Sequence, residues 1–136
     1  VYNKTVSAMD MLPSLAHACG IDIPERSRET PPIDGVNLWD ELIGKKADRQ
    51  GRPDLLFWHG ADGFQAIRMG DWKLFLNRRD AELSGEGPAL FKVKDDKKER
   101  DDLSQLFPAI VKKMTDVASQ RLESIGLRSI ALGTVK

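Results

Sequence analysis

Apolar and polar positions alternate along the chain in a way that cuts it into a few short elements. Met11, Leu12, Leu15, Ala16, Ala18 and Cys19 recur at helical spacing. Ser7 and Asp10 ahead of them suit a capping box. Pro13 lacks an N–H and is awkward inside a helix, which predicts an irregular or 3₁₀ turn over 8–11, regular helix from Leu12 to Ala18, and Gly20 as the stop. Tyr2 to Val6 has the length of a strand end, and Leu38, Trp39, Leu42 and Ile43 predict a second, short helix between an Asn37 cap and Gly44. Leu55-Leu56-Phe57-Trp58 is a continuous apolar run suited to a buried strand.

The stretch from Phe64 to Asn77, FQAIRMGDWKLFLN, predicts a β-hairpin. Gly70-Asp71 supplies the turn, and Trp72, Leu74 and Leu76 alternate with Lys73 in the period-2 pattern of a half-buried strand. Phe75 interrupts that alternation and predicts that part of the second sheet face is covered as well. Ala89 to Val93 is the next strand candidate. Pro108 then opens a helix over 108–125, where Ile110, Val111, Met114, Val117, Ala118, Leu122 and Ile125 share one face and Gly126 ends the run. Trp72 is expected to lie buried between the sheet and this helix. The stretches 21–34, with Pro24, Pro31 and Pro32, and 78–88 are expected to be loops, 45–53 a polar connector, and 127–136 shows no pattern. The fold class that follows is α+β: a small antiparallel sheet packed by a C-terminal helix.

Composition narrows the function without naming it. Lys plus Arg and Asp plus Glu both number 21, so the net charge is zero, which argues against a nucleic-acid footprint or a polybasic membrane patch. A hydrophobic content of 40% suits a folded protein rather than a disordered one. No apolar run approaches the roughly 20 residues of a membrane helix. The single cysteine, Cys19, excludes an internal disulfide. The chain begins at Val1 rather than Met, so a longer native chain is expected.

Several segments, in order, resemble the C-terminal portion of type I sulfatases, the arylsulfatase-like sulfuric ester hydrolases of the alkaline phosphatase superfamily. Ala66-Ile67-Arg68-Met69-Gly70-Asp71-Trp72-Lys73-Leu74 resembles that family's A-x-R-x-G-D-W-K-L hairpin. Ser7 to Leu15, ending in Ala18-Cys19-Gly20-Ile21, resembles its S-x-x-D-x-x-P-T-L…A-G-I helix, with Ser14 where Thr is more usual. Asp34-Gly35-Val36-Asn37-Leu38 resembles a D-G-x-S-L turn. Ala89 to Val93 fits the E-L-Y-D-L strand only partly, since Phe91 and Lys92 replace Tyr and Asp. Glu99 and Asp102-Leu103 resemble the D-P-x-E-x-x-N-L loop, without its Pro and Asn.

The resemblance implies that residues 1–45 are the helix and loop that end the catalytic α/β domain, and that 46–136 form a C-terminal antiparallel-sheet subdomain with the helix 108–125. It implies two partners for the stripe on residues 8–19: the rest of the catalytic domain, or a second copy of the chain. It also suggests a periplasmic or secreted location. The family's chemistry uses a formylglycine made from Cys-x-Pro-x-Arg or Ser-x-Pro-x-Arg, together with calcium, and neither that motif nor a ligand set occurs in this sequence. Cys19 is followed by Gly20-Ile21-Asp22 and is expected to be a small buried helix residue. Asp95, Asp96, Asp101 and Asp102 are interleaved with Lys94, Lys97, Lys98 and Arg100, which predicts a solvated charged loop rather than a cation site. His17 and His59 lack partners at zinc spacing. Arg68 and Lys73 are expected to pair with carboxylates or to cover the sheet with their stems.

His59, at the end of a predicted strand beside Gly60, is the one candidate substrate-binding residue; the resemblance suggests a place on the rim of the pocket, toward the organic part of a sulfate ester. The expected function is therefore structural, with a possible part in the substrate rim, and inactive alone. Two alternatives stand beside it: a free-standing α+β interaction module, and the C-terminal part of a phosphonate or phosphodiester hydrolase of the same superfamily. Sulfated sugars, aryl sulfates and choline sulfate all remain open as substrates.

Overall fold

Gly70 and Asp71 form the two-residue loop of the central hairpin, because Met69 pairs directly with Trp72. Gly70 has φ 56°, at the first loop position, where a type II′ hairpin requires glycine. This explains how a Gly-Asp order makes a tight hairpin without the Asn-Gly or Asp-Gly of a type I′ turn. The computed structural model describes residues 2–23, 33–59, 63–76 and 87–124. It divides into two units, Val1–Pro53 and Asp54–Lys136.

The second unit is a four-stranded antiparallel meander, β1 (Leu55–His59), β2 (Gly63–Met69), β3 (Trp72–Phe75) and β4 (Ala89–Lys92), in the order β1-β2-β3-β4. The helix α3, Pro108–Ser124, packs on one face. There Ile67, Leu74 and Leu90 meet Met114 and Ala118, one helical turn apart, with Ile110, Val111 and Val117 at the margin. The opposite face carries Ala66, Phe75, Ala89 and Phe91, flanked by Phe57 and Val93. Phe75 is therefore no break in the pattern: β3 is apolar toward both faces, as a strand covered on both sides requires. Trp72 is half-buried rather than buried; it packs at the edge of the helix-side cluster, with its ring 5.2 Å from that of Phe107. Ile125, expected in the helix, lies outside the described residues, as do 24–32, 60–62, 77–86 and the tail.

The apolar run 55–58 is not a buried strand. β1 is an edge strand; Leu55, Leu56 and Phe57 are half-buried and Trp58 is 45% exposed. An edge strand has one neighbour, so composition alone overstates its burial. Asp54 at its start accepts hydrogen bonds from Arg121 Nε (2.9 Å) and Nη2 (2.8 Å), tying β1 to the last turn of α3.

The first unit contains a 3₁₀ turn at Ala8–Asp10, then α1 (Met11–Ala18) and the short α2 (Trp39–Leu42). The Ser7 N–H donates to Asp10 Oδ2 at 2.7 Å. Pro13 falls in the first turn of α1, where an amide has no intrahelical acceptor to lose. The helix closes with Gly20 N–H donating to the His17 carbonyl (3.1 Å) and Ile21 N–H to that of Ala16 (2.9 Å), the paired bonds of a Schellman end. Asn37 Oδ1 accepts from the Trp39 N–H at 3.0 Å, at the start of α2. Tyr2 to Val6 forms no strand, although the Thr5 carbonyl accepts from the Arg52 N–H at 3.0 Å.

Burial in α1 runs against its apolar stripe. Pro13 and Ser14 are buried, whereas Met11 and Leu12 are each 61% exposed and Leu15 51%. Cys19 is exposed too, contrary to the expectation of a buried residue, because it is the cap residue at the helix end, off the side that Pro13 and Ser14 bury.

Candidate functional site

The described residues of the first unit bury three charged side chains alongside Leu38. Asp10, Glu41 and Arg52 are all buried. Asp10 Oδ1 accepts from the Val36 N–H (2.8 Å) and from Arg52 Nη1, and Arg52 Nη2 also donates to the Asp34 carbonyl at 3.0 Å. Glu41 Oε2 accepts from the Tyr2 hydroxyl at 2.8 Å and the Gly51 N–H at 2.9 Å. Burial would raise the Glu41 pKa, but the Gly51 amide, the Tyr2 hydroxyl and the Lys46 ammonium outweigh it and hold the carboxyl below its usual value. Burial and the bond to Glu41 push the Tyr2 phenol up to about 12. The loop 33–37 lies close on the 3₁₀ turn: a Cβ on Gly35 would sit 2.1 Å from the Met9 carbonyl oxygen. Ser14 Oγ accepts from the Leu38 N–H at 3.0 Å. These contacts make the unit a scaffold; both carboxylates buried among its described residues, Asp10 and Glu41, are engaged in holding backbone.

An open cleft of about 350 Å³ lies beside α1, with His17, Asp22 and Asn37 among its polar lining and Ile21, Ile23 and Ile33 among its apolar lining. His17 Nε2 stands 3.9 Å from Asp40 Oδ2, too far for a hydrogen bond.

In the second unit the charges of the hairpin, Arg68 and Lys73, are structural. Lys73 Nζ donates to Glu99 Oε1 (2.8 Å) and Oε2 (2.9 Å) and lies 4.3 Å from the Phe75 ring centroid and 5.2 Å from that of Phe57. Glu99 is held in a left-handed backbone conformation, φ 52°. The loop that presents it is built on Asp96, whose carboxylate accepts from the amides of Lys98, Arg100 and Asp101. Those amides, the Asp101 N–H foremost, hold the Asp96 carboxyl below its ordinary value. Arg68 Nε donates to the Gly70 carbonyl at 3.1 Å and so braces the hairpin turn.

The remaining acidic residues do not converge. Asp95 pairs with Lys92 at 2.6 Å, while Asp102 accepts from the Leu90 and Ser104 amides at 3.0 and 2.9 Å. Among the described residues no three His, Cys, Asp or Glu side chains are grouped to hold a metal ion. The described residues thus offer no such group to the calcium that the resemblance implies, and the sequence contains neither Cys-x-Pro-x-Arg nor Ser-x-Pro-x-Arg.

The rim candidate, His59, ends β1, where its backbone pairs with Gly63. Its side chain, and Gly60 to Asp62 after it, lie outside the described residues. Sequence reasoning missed its neighbour. Phe57 pairs with Ala66 and Trp58 with Phe64, so Gln65 is the extra residue of a bulge in β2. The bulge swings Phe64 to the face that carries Ile67, and its ring meets that of Trp58 edge-on at 5.6 Å and 69°.

No family model matches the sequence, and no curated protein matches it. Solved structures share its fold, and they are sulfatase-related chains. The chain is similar to a Bacteroides thetaiotaomicron protein, BT33336S-sulf, described with the metabolism of multiple glycosaminoglycans: TM-score 0.60, 19% identity, 82% of this chain and 24% of that one. It is similar also to Ps i-CgsB, solved alone and in complex with k-i-k-neocarrahexaose, in each case with TM-score 0.63, 24% identity, 88% of this chain and 24% of the other. This chain thus spans about a quarter of the length of the structures it matches.

Proposed function

We propose that this chain is the C-terminal part of a sulfuric ester hydrolase of the sulfatase type, in which it supplies scaffold and part of the substrate rim but no nucleophile. The observation that carries the reading is the fold match. More than four-fifths of the chain, 82–88%, superposes on sulfatase-related chains, and it accounts for only 24% of their length. Residues 1–45 belong, in this reading, to the end of the catalytic α/β domain and 46–136 to the sheet subdomain. The exposed Met11, Leu12 and Leu15 support a docked partner, since burying such side chains is worth about 1.5–3 kcal/mol each. The rest of the catalytic domain is the partner assigned here, with self-association through 8–19 as the alternative outcome. His59 lies on the rim. The saccharides named with the similar structures favour a sulfated carbohydrate as substrate.

The test is an assay of the complete reading frame beside this chain. The complete enzyme is expected to hydrolyse a chromogenic aryl sulfate, and residues 1–136 alone to show no turnover, since a barrier reduction of roughly 8–23 kcal/mol is beyond leftover hydrogen-bond donors. Turnover by this chain that a point mutation within it abolishes overturns the proposal. So does a complete enzyme that cleaves phosphodiesters and no sulfate ester.

A further inference from the structure

We infer that Trp58, braced by Phe64, is a stacking platform for a pyranose ring of an oligosaccharide; this rests on the reading of the chain as part of a carbohydrate-directed hydrolase and gives that site its substrate contact. Trp58 is 45% exposed although it sits on a strand of the sheet. A whole tryptophan buries about 150–250 Å², so the open part is on the order of 100 Å². That is far below the roughly 800 Å² per side of a stable protein interface. The patch is also isolated. Leu106 and Phe107, the other exposed large apolar side chains among the described residues of this unit, lie with Trp72 at the hairpin end of β2, whereas Phe64 is at the opposite end.

The bulge is what makes the pair. In regular alternation Phe64 would share a face with Ala66 and leave Trp58 alone; the extra residue Gln65 brings it beside the indole, at 5.6 Å and 69°. The edge-on contact holds the indole while nearly half of Trp58 stays open. The cost of ordering the indole has thus been met before any ligand arrives. A flat, electron-rich face suits the C–H groups of a sugar ring.

The chain contains three tryptophans, Trp39, Trp58 and Trp72, each with an indole N–H resolvable by ¹⁵N-¹H correlation spectroscopy. The full 136-residue chain is titrated with a sulfated galactan hexasaccharide and with the same oligosaccharide after desulfation. The Trp58 signal is expected to shift saturably with both, while Trp39 and Trp72 stay in place. Trp58→Ala is expected to weaken binding about tenfold or more and Trp58→Phe by less, corresponding to the loss of about 1.4 kcal/mol per decade. Phe64→Leu, which keeps the strand and removes the brace, should weaken it to an intermediate degree.

An unmoved Trp58 signal with both ligands overturns the inference, as does undiminished binding by Trp58→Ala. A Trp58 signal that moves with protein concentration alone also overturns it, since the occupant is then a second copy of the chain. The sulfatase reading fails separately: Trp58 can shift with the sugar in a protein whose complete frame cleaves no sulfate ester, and the converse holds.

Discussion

Tyr2 is the only tyrosine in the chain, so its phenol can be titrated without interference by absorbance at 295 nm. Its midpoint is expected at about 12, above the usual 10.0. Because the folded value is raised, its contribution to stability is complete below pH 10.0 and is lost as the pH rises toward about 12. Glu41 has the opposite sign. Its folded value is depressed, so its contribution is present above 4.5 and is lost as the pH falls below that value. The first unit should be most stable between these limits. Glu41→Gln should bring the Tyr2 midpoint part of the way back, since burial is the larger cause and remains. A midpoint of 10.0 in the unaltered protein would mean that Tyr2 is not in this network. None of this was legible in the sequence: Tyr2, Glu41 and Gly51 are far apart along the chain, and a buried carboxylate looks the same in a sequence as a solvated one. The same blindness misassigned Cys19, whose helical spacing matched the stripe although its place at the helix end leaves it exposed.

At the scale of elements, the hairpin, β4 and the last helix were readable because their periodicity is strong and the turn residues are specific. The burial of β1 was not, since an edge strand and a central one can share a composition. The bulge at Gln65 was hidden as well, because one extra residue leaves no mark on a short apolar run. Phe91 is fully buried in the second-face cluster, so Phe91→Ala is expected to cost about 3–5 kcal/mol. Trp72 is half-buried, and Trp72→Ala should cost less than Phe91→Ala. Chemical denaturation of the two variants checks the order, and a larger loss for Trp72 would contradict the packing described. In the first unit, Gly35→Ala would place its methyl 2.1 Å from the Met9 carbonyl oxygen. The loop or the 3₁₀ turn must then move, at about 1–3 kcal/mol, and amide exchange over 33–38 should rise. Unchanged protection there would show that the close approach is not needed.

For the whole molecule, the fold agrees with what the hydrophobic pattern and the resemblance led one to expect, an antiparallel sheet with a C-terminal helix. No catalytic site was legible in the sequence: no Cys-x-Pro-x-Arg or Ser-x-Pro-x-Arg occurs, and the carboxylates of Asp95, Asp96 and Asp102 are used on a lysine and on backbone amides. The exposed face of α1 and the 24% share of the similar chains support the proposal that this chain is part of a larger protein. The coding sequence upstream of Val1 in the source genome tests that claim most directly. The account predicts an open frame running some hundreds of residues upstream and containing Cys-x-Pro-x-Arg or Ser-x-Pro-x-Arg; a start codon immediately before Val1, with no such motif in frame, would contradict it.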